Sequence, residues 1–268
     1  MKKILYYLIA LLFILNSCNS EEHEDNNLIL PKTLKVTYPG SSESDMITFV
    51  YDDNKIVSKT SKSERMDYSY DDNKIVKIIK YSFEKRQEIK SSEISFTYKN
   101  GNLNTATIID YVNKSKLQFI YSYKQDGIIE KENYYLDSMT GKELKNMNRE
   151  ILTFVNGNLQ KSVFNWESRP ETTTTSNFYY DSNNNAFKNV LGFNLLLDQA
   201  SFGSELELNI SSVNNLKRHT ESSIQGPDIV IEPYANTMEY QYNAKGYPIK
   251  TVIYDYTERV TRIIEYTY

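Results

Sequence analysis

The sequence predicts an all-β protein, an antiparallel meander of repeated hairpins that forms a large curled sheet or a barrel-like structure. Three observations predict it. A degenerate unit recurs along most of the chain, joining two aromatic residues at i and i+2 to a cluster of Asp, Asn and Gly. The composition is rich in strand formers, with 23 Tyr, 11 Phe and a single Trp, and aromatic and β-branched side chains suit the pleated, half-buried surface of a strand. The helical apolar period of about 3.6 residues is missing from nearly all of the chain.

The first element is not part of that sheet. Lys2 and Lys3 precede an uncharged, mostly aliphatic run from Ile4 to Leu15. A spanning helix needs about 20 apolar residues, whereas a secretory signal uses roughly 7 to 15. Leu15-Asn16-Ser17-Cys18 resembles the lipobox of bacterial lipoproteins, with Asn16 a less usual residue at its position. Residues 1–17 are therefore read as a signal peptide, with Cys18 as the lipidated residue after cleavage. Cys18 is the only cysteine, so an internal disulfide is excluded, and lipidation accounts for an odd cysteine in an exported chain. Residues 18–30, with Glu21, Glu22, Glu24 and Asp25, are too polar to pack and form an acidic tether. The tether resembles the short acidic signal that sends Bacteroidetes lipoproteins to the outer face of the outer membrane.

Residues 31–268 then carry the repeat as one β-hairpin domain. Its copies include Thr48-Phe-Val-Tyr-Asp-Asp-Asn-Lys-Ile-Val57, Tyr68-Ser-Tyr-Asp-Asp-Asn-Lys-Ile-Val76, Phe96-Thr-Tyr-Lys-Asn-Gly-Asn-Leu103 and Tyr121-Ser-Tyr-Lys-Gln-Asp-Gly-Ile-Ile129. Further copies start at Leu152, Phe178 and Tyr240, and the chain ends on the half-unit Glu265-Tyr-Thr-Tyr268. Residues at i and i+2 share one face of a strand. Asn100-Gly101, Asn156-Gly157 and Asp126-Gly127 supply the positive φ of a tight hairpin turn. Two stretches depart from the unit. Residues 186–200, with Phe187, Val190, Phe193 and Leu195 to Leu197, fit a short helical insertion, and residues 224–236, with Pro227 and Pro233, read as a loop.

Composition narrows the function. Removing residues 1–17 deletes Lys2 and Lys3 and no acid, which moves the formal charge from −4 to −6. An acidic chain without a basic patch lacks the attraction that nucleic-acid binding relies on. His23 lies in the tether and His219 is read as a solvated strand residue, so a triad or a histidine metal site has no support. Asp52-Asp53 and Asp71-Asp72 repeat at the same corner and read as turn residues. Asp181, Asn183 and Asn185 mimic the start of a calcium loop, but Ala186 and Gly192 stand where the glycine and distal glutamate belong. No catalytic residue, metal or cofactor is therefore expected. Trp166 and Phe164 are the candidate ligand-binding aromatics, set against ordinary packing of the sheet. Asp137-Ser138-Met139 resembles a short O-glycosylation motif, with Ser138 as the modified residue.

The Tyr-x-Tyr-Asp-x-x-Asn/Gly-x-Ile unit resembles the YD repeats of Rhs-type bacterial surface proteins. Lipobox, acidic tether, hairpin series, Ala186-Phe187-Lys188-Asn189 and Asn214-Asn215 together are similar to a family of uncharacterised Bacteroidetes surface lipoproteins. That family carries a domain of unknown function with a porin-like fold. The resemblance implies a curled antiparallel sheet or closed barrel and brings no catalytic residue. The expected function is a non-enzymatic binding or structural module, tethered to the membrane by lipid, with a glycan or an envelope protein as ligand. Two alternatives stand beside it: an outer-membrane-spanning barrel or pore, encouraged by the terminal Ile264-x-Tyr266-x-Tyr268, and an enzyme acting on a surface polysaccharide. Charge on both faces of Lys74 to Lys80 argues against lipid contact, since Lys at the bilayer midplane costs about 2 to 4 kcal/mol.

Overall fold

The repeated corners fold as tight turns. Asp53, Asp72, Asn100, Asp126 and Asn156 take φ values between 51° and 59°, and Gly101, Gly127 and Gly157 follow at 72° to 83°. Asp and Asn tolerate this left-handed region, and Gly enters it without steric cost. Asp53 and Asp72 are thus turn residues, and Asp52 and Asp71 end the strands that lead into them.

The structure is a computed structural model and describes residues 28–84, 87–136, 142–165, 172–200, 210–225 and 229–268. These form sixteen strands. The first eight are β1 (Thr33–Thr37), β2 (Ser44–Asp52), β3 (Lys55–Thr60), β4 (Glu64–Asp71), β5 (Lys74–Glu84), β6 (Gln87–Lys99), β7 (Asn102–Asp110) and β8 (Ser115–Tyr123). The rest are β9 (Ile128–Leu136), β10 (Glu143–Val155), β11 (Asn158–Asn165), β12 (Thr172–Asn184), β13 (Asn214–Gln225), β14 (Ile229–Tyr242), β15 (Pro248–Tyr254) and β16 (Val260–Thr267). Each pairs antiparallel with its sequence neighbours, and β1 pairs with β16 through Leu34↔Tyr266 and Val36↔Ile264, which closes a barrel. Closure removes the open edges that would otherwise template aggregation.

Residues 224–236 are mostly strand rather than loop, because Ile224↔Val230 and Gln225↔Ile229 continue the ladder between β13 and β14. Pro227 lies outside the described residues. Pro233 falls at the register break between Glu221 and Ser223, where a residue without an N–H is tolerated inside a sheet.

Strict alternation also fails, once per unit. The ladder shifts register between Val50 and Tyr51, Ser69 and Tyr70, Thr97 and Tyr98, and Thr153 and Phe154. The extra residue lies on the strand leaving the turn, as in a β-bulge. Consequently Ile56 and Lys59, Ile75 and Ile78, Leu103 and Ala106, and Leu159 and Ser162 are all buried although each pair is three residues apart. Lys77 and Ile79 face outward in β5, while Lys80 faces in.

Tyrosine hydroxyls stitch successive units together beside these bulges. Tyr98 donates to the Ile75 carbonyl at 2.7 Å, Tyr180 to Leu159 at 2.8 Å, Tyr240 to Leu216 at 2.8 Å and Tyr268 to Pro248 at 2.7 Å. Tyr70 accepts from the Ile56 N–H at 3.1 Å and donates to the Leu191 carbonyl at 3.1 Å. Apart from the Tyr70 bond to Leu191, each reaches a backbone group near the end of a neighbouring strand, where the interstrand ladder stops. The recurring tyrosine is therefore a structural rung, and burial pushes the Tyr70 hydroxyl up to about 12.

Candidate functional site

Residues 185–200 and 210–213, between β12 and β13, seal one end of the barrel, the end that carries the tight turns. Two short 3-10 turns, Phe193–Leu195 and Leu197–Gln199, lie among them, so the predicted helical insertion is present as single turns. Their apolar side chains enter the interior. The Phe187 ring meets Phe49 edge-on with centroids 5.3 Å apart, and Phe193 lies 6.2 Å from Tyr68. Backbone bonds tie this plug to distant hairpins, with Leu191 N–H donating to the Asn54 carbonyl at 2.9 Å. Gly192, at φ 83°, passes so close to β5 that a Cβ would sit 3.1 Å from the Asn73 carbonyl oxygen. The cavity left among Leu34, Val36, Phe187, Ile210 and Leu216 is about 50 Å³, far below the roughly 300 Å³ of a small-ligand site.

Deeper in the barrel the lining becomes polar. Lys131 of β9 is 7% exposed and is clamped between Glu150 of β10 at 2.7 Å and Asp198 of the plug at 2.5 Å. Tyr121 donates to Asp198 at 2.9 Å, and Ser162 donates to Glu150 at 2.6 Å. Burial alone would lower the Lys131 ammonium, but Asp198 and Glu150 on either side override it and hold it above its ordinary value. A second inward cluster lies across the barrel, where Glu64 accepts from Lys59 at 3.0 Å and Lys80 at 2.5 Å. Burial opposes the charge on Glu64, yet the two lysines hold its carboxyl below the usual range.

His219 corrects the sequence-based expectation of a solvated residue. It is 9% exposed and stacks on Phe178 with ring centroids 4.8 Å apart. The bulge opposite Tyr180 turns it inward together with Leu216. Its Nδ1, like Ser82 Oγ and Asn133 Oδ1, is buried without a hydrogen-bond partner among the described residues. Desolvation lowers its pKa against the opposing field of Glu221. Glu221 itself is exposed, takes a 3.3 Å bond from Ser176 and lies two residues further from the plug.

Cys18, Ser138 and Trp166 lie outside the described residues. Phe164 is half-buried in β11, opposite Glu150 and Thr174. The calcium-like residues bond the backbone. Asp181 accepts from the Asn183 and Asn215 N–H groups at 3.0 and 3.2 Å, and Asn185 accepts from the Phe187 N–H at 2.9 Å. Among the described residues no three His, Cys, Asp or Glu side chains gather to hold a metal ion. Nothing in the sequence marked Lys131, Glu150 and Asp198 as partners, because Lys131 and Glu150 meet across the β9–β10 ladder and Asp198 joins them only when the plug folds inward.

The outer face carries ion pairs of its own. Ion pairs join Lys35 to Glu265 at 3.6 Å, Arg65 to Glu88 at 2.8 Å, Lys77 to Glu93 at 3.6 Å and Arg149 to Glu132 at 3.9 Å. The terminal aromatic pattern faces inward, with Ile264 only 3% exposed, Tyr266 packed on the core and Tyr268 bonded to Pro248.

No protein-family model matches the sequence, and no curated protein matches it. Solved structures do. A porin-like protein from Bacteroides vulgatus is similar with a TM-score of 0.58 and 15% identity, over 90% of this chain and 98% of that one. A porin-like protein from Bacteroides uniformis is similar with a TM-score of 0.51 and 10% identity, over 88% of this chain and 97% of that one. At these identities the likeness concerns the fold, and the chain folds as a closed, porin-like antiparallel β-barrel.

Proposed function

We propose that this protein is a water-soluble barrel tethered to the outer membrane by lipid on Cys18, acting as a non-enzymatic binding module rather than as a pore. One observation carries the reading: an apolar core fills much of the barrel while charged pairs lie on its outer face. Spanning barrels turn an apolar band to lipid and a polar wall to the lumen. Here Phe49, Ile75, Leu103, Leu152 and Phe193 fill the inside, while ion pairs such as Lys77–Glu93 and Arg149–Glu132 stud the outside. The plug and the buried Lys131–Glu150–Asp198 cluster occupy the path a pore would need. The lipobox and acidic tether support a surface location, and a glycan or an envelope protein is the expected ligand class.

The test is detergent-free purification of residues 19–268, followed by a thermal melt and by conductance across planar bilayers. A monomer with one cooperative transition and no channel activity is the expected result. Aggregation rescued only by detergent, together with unitary conductance steps, overturns the reading and makes the barrel a pore.

A further inference from the structure

The outer surface between β11 and β12 holds a groove lined by both polar and aromatic side chains. The ladder between these strands stops at Lys161↔Asn177. Past that pair, the Tyr180 hydroxyl spans the gap to the Leu159 carbonyl at 2.8 Å. The gap opens outward as a groove of about 750 Å³ between the β10–β11 corner and the end of β12. That volume falls within the roughly 300 to 1,000 Å³ of small-ligand sites.

Its polar lining divides into two sets. Asn158 and Asp181 are committed to the fold. The Asn158 side-chain oxygen accepts from the Val213 and Asn214 N–H groups at 3.0 and 3.1 Å, and Asp181 is held by the Asn183 and Asn215 amides and the Tyr242 hydroxyl. By contrast, the side chains of Asn156, Gln160, Lys161 and Asn177 have no hydrogen-bond or ion-pair partner among the described residues. The Tyr179 ring beside them is 52% exposed. A large aromatic side chain and several amides left uncommitted around one concavity are chemistry without a structural use.

Their combination selects a ligand class. A sugar ring has hydroxyls that both donate and accept, and a carboxamide offers donors and acceptor in one plane. The apolar C–H face of a pyranose lies flat on an exposed aromatic ring. Charge refines the choice. Arg218 is the direct cross-strand partner of Tyr179, and Lys161 that of Asn177, and both are exposed. Directly paired cross-strand residues have Cβ atoms about 5 Å apart, so Lys161 borders the amides inside the groove and Arg218 borders the ring from the β13 side. Asp181, the acid in the groove, is already engaged by three donors.

We propose that this groove binds an acidic oligosaccharide, a uronate-containing glycan, with a sugar ring on Tyr179, hydroxyls bonded by Asn177 and Gln160, one carboxylate facing Lys161 in the groove and the next sugar's carboxylate toward Arg218 beside the ring. The inference rests on the reading of the barrel as a water-soluble binding module and names the ligand and site of that module.

Isothermal titration of the purified protein with trigalacturonate, with maltotriose and with an extended acidic peptide tests it. Trigalacturonate binds, maltotriose binds at least tenfold more weakly, and the trigalacturonate affinity falls with added salt. Tyr179→Ala raises the dissociation constant about tenfold, equivalent to 1.4 kcal/mol. Lys161→Met removes most of the preference for the acidic sugar. Both positions are exposed, so melts of the variants match that of the parent and exclude misfolding as the cause. No heat with trigalacturonate, equal binding of maltotriose, tighter binding of the peptide, or affinity unchanged by Tyr179→Ala each overturns the proposal. A protein that melts cooperatively without detergent and yet binds no sugar overturns the groove alone. A barrel that needs detergent overturns the soluble-module reading as well.

Discussion

Lys131 shows how much one side chain decides inside this barrel. A buried ammonium is costly unless paired, and its two carboxylate partners would be equally costly without it. Lys131→Met leaves Glu150 and Asp198 facing each other uncompensated, and the expected loss is about 3 to 5 kcal/mol by denaturant titration. Restoration of most of that stability by the combined Lys131→Met, Glu150→Gln, Asp198→Asn variant would show that the penalty comes from unpaired charge. A loss below about 1 kcal/mol would place the ion pair in contact with water. His219 supplies a pH dependence. Its folded pKa lies below the ordinary value near 6.5, so the unfolded chain binds more protons as pH falls through that value, and stability falls with it. Melting temperature should drop between pH 7.5 and pH 5.5, and His219→Phe should remove that component while keeping the stack on Phe178. Glu64 acts at lower pH, because its carboxyl is held below the usual range. Its contribution is present above the unfolded carboxylate pKa and is lost as pH drops through the folded one.

At the scale of the element, the repeating unit is a hairpin, a bulge and a tyrosine rung. The bulge gives the strand leaving each turn two inward residues three apart, and the rung satisfies backbone groups beside it. Removing one hydroxyl from a rung should cost about 1 kcal/mol, the net value of a typical intramolecular hydrogen bond. Tyr98→Phe is the cleanest case, since its hydroxyl donates to Ile75 at 2.7 Å and the ring stays packed. An unchanged urea midpoint for Tyr98→Phe would mean that solvent serves the Ile75 carbonyl equally well. The corners are equally specific. Gly157 sits at φ 77°, and a Cβ there would lie 2.6 Å from a Val213 methyl of the plug's return strand. Gly157→Val therefore combines backbone strain with a clash against the plug, and it should lower stability more than the same change at Gly101, where a Cβ meets nothing within 4 Å. Equal melting shifts for the two variants would separate the plug from the barrel's stability.

The whole molecule depends on one long-range closure. Every other pairing joins sequence neighbours, whereas β1 and β16 bring Thr33 to Thr267. Deleting residues 259–268 opens two edges at once and exposes Leu34, Val36 and Ile253. The expected outcome is a chain that aggregates on purification, measured by size exclusion and light scattering, because unpaired apolar edges template further pairing. A truncated chain that remains a monomer with a cooperative melt would show that the plug, not the closure, organises the sheet.

Much of this was legible beforehand, and the particular failures are instructive. Residues such as Asn100-Gly101 and Asn156-Gly157 announce their turns because positive φ is a local demand met by few residue types. The aromatic pairs announce strands because period two is also local. His219 was misread because a single bulged residue near Tyr180 changes which face follows. Residues 224–236 were misread because Pro233 marks a loop in most settings and a register break in this one. The Lys131–Glu150–Asp198 cluster left no trace, since its members come from β9, β10 and the plug. The sequence by itself determined the hairpins, their corners and their antiparallel order, all of which follow from contacts between near neighbours. Only the tertiary structure decided that the sheet closes, which face is inside, and that residues 186–200 fill one end, because those outcomes depend on where bulges shift the register and on contacts between residues far apart in the chain.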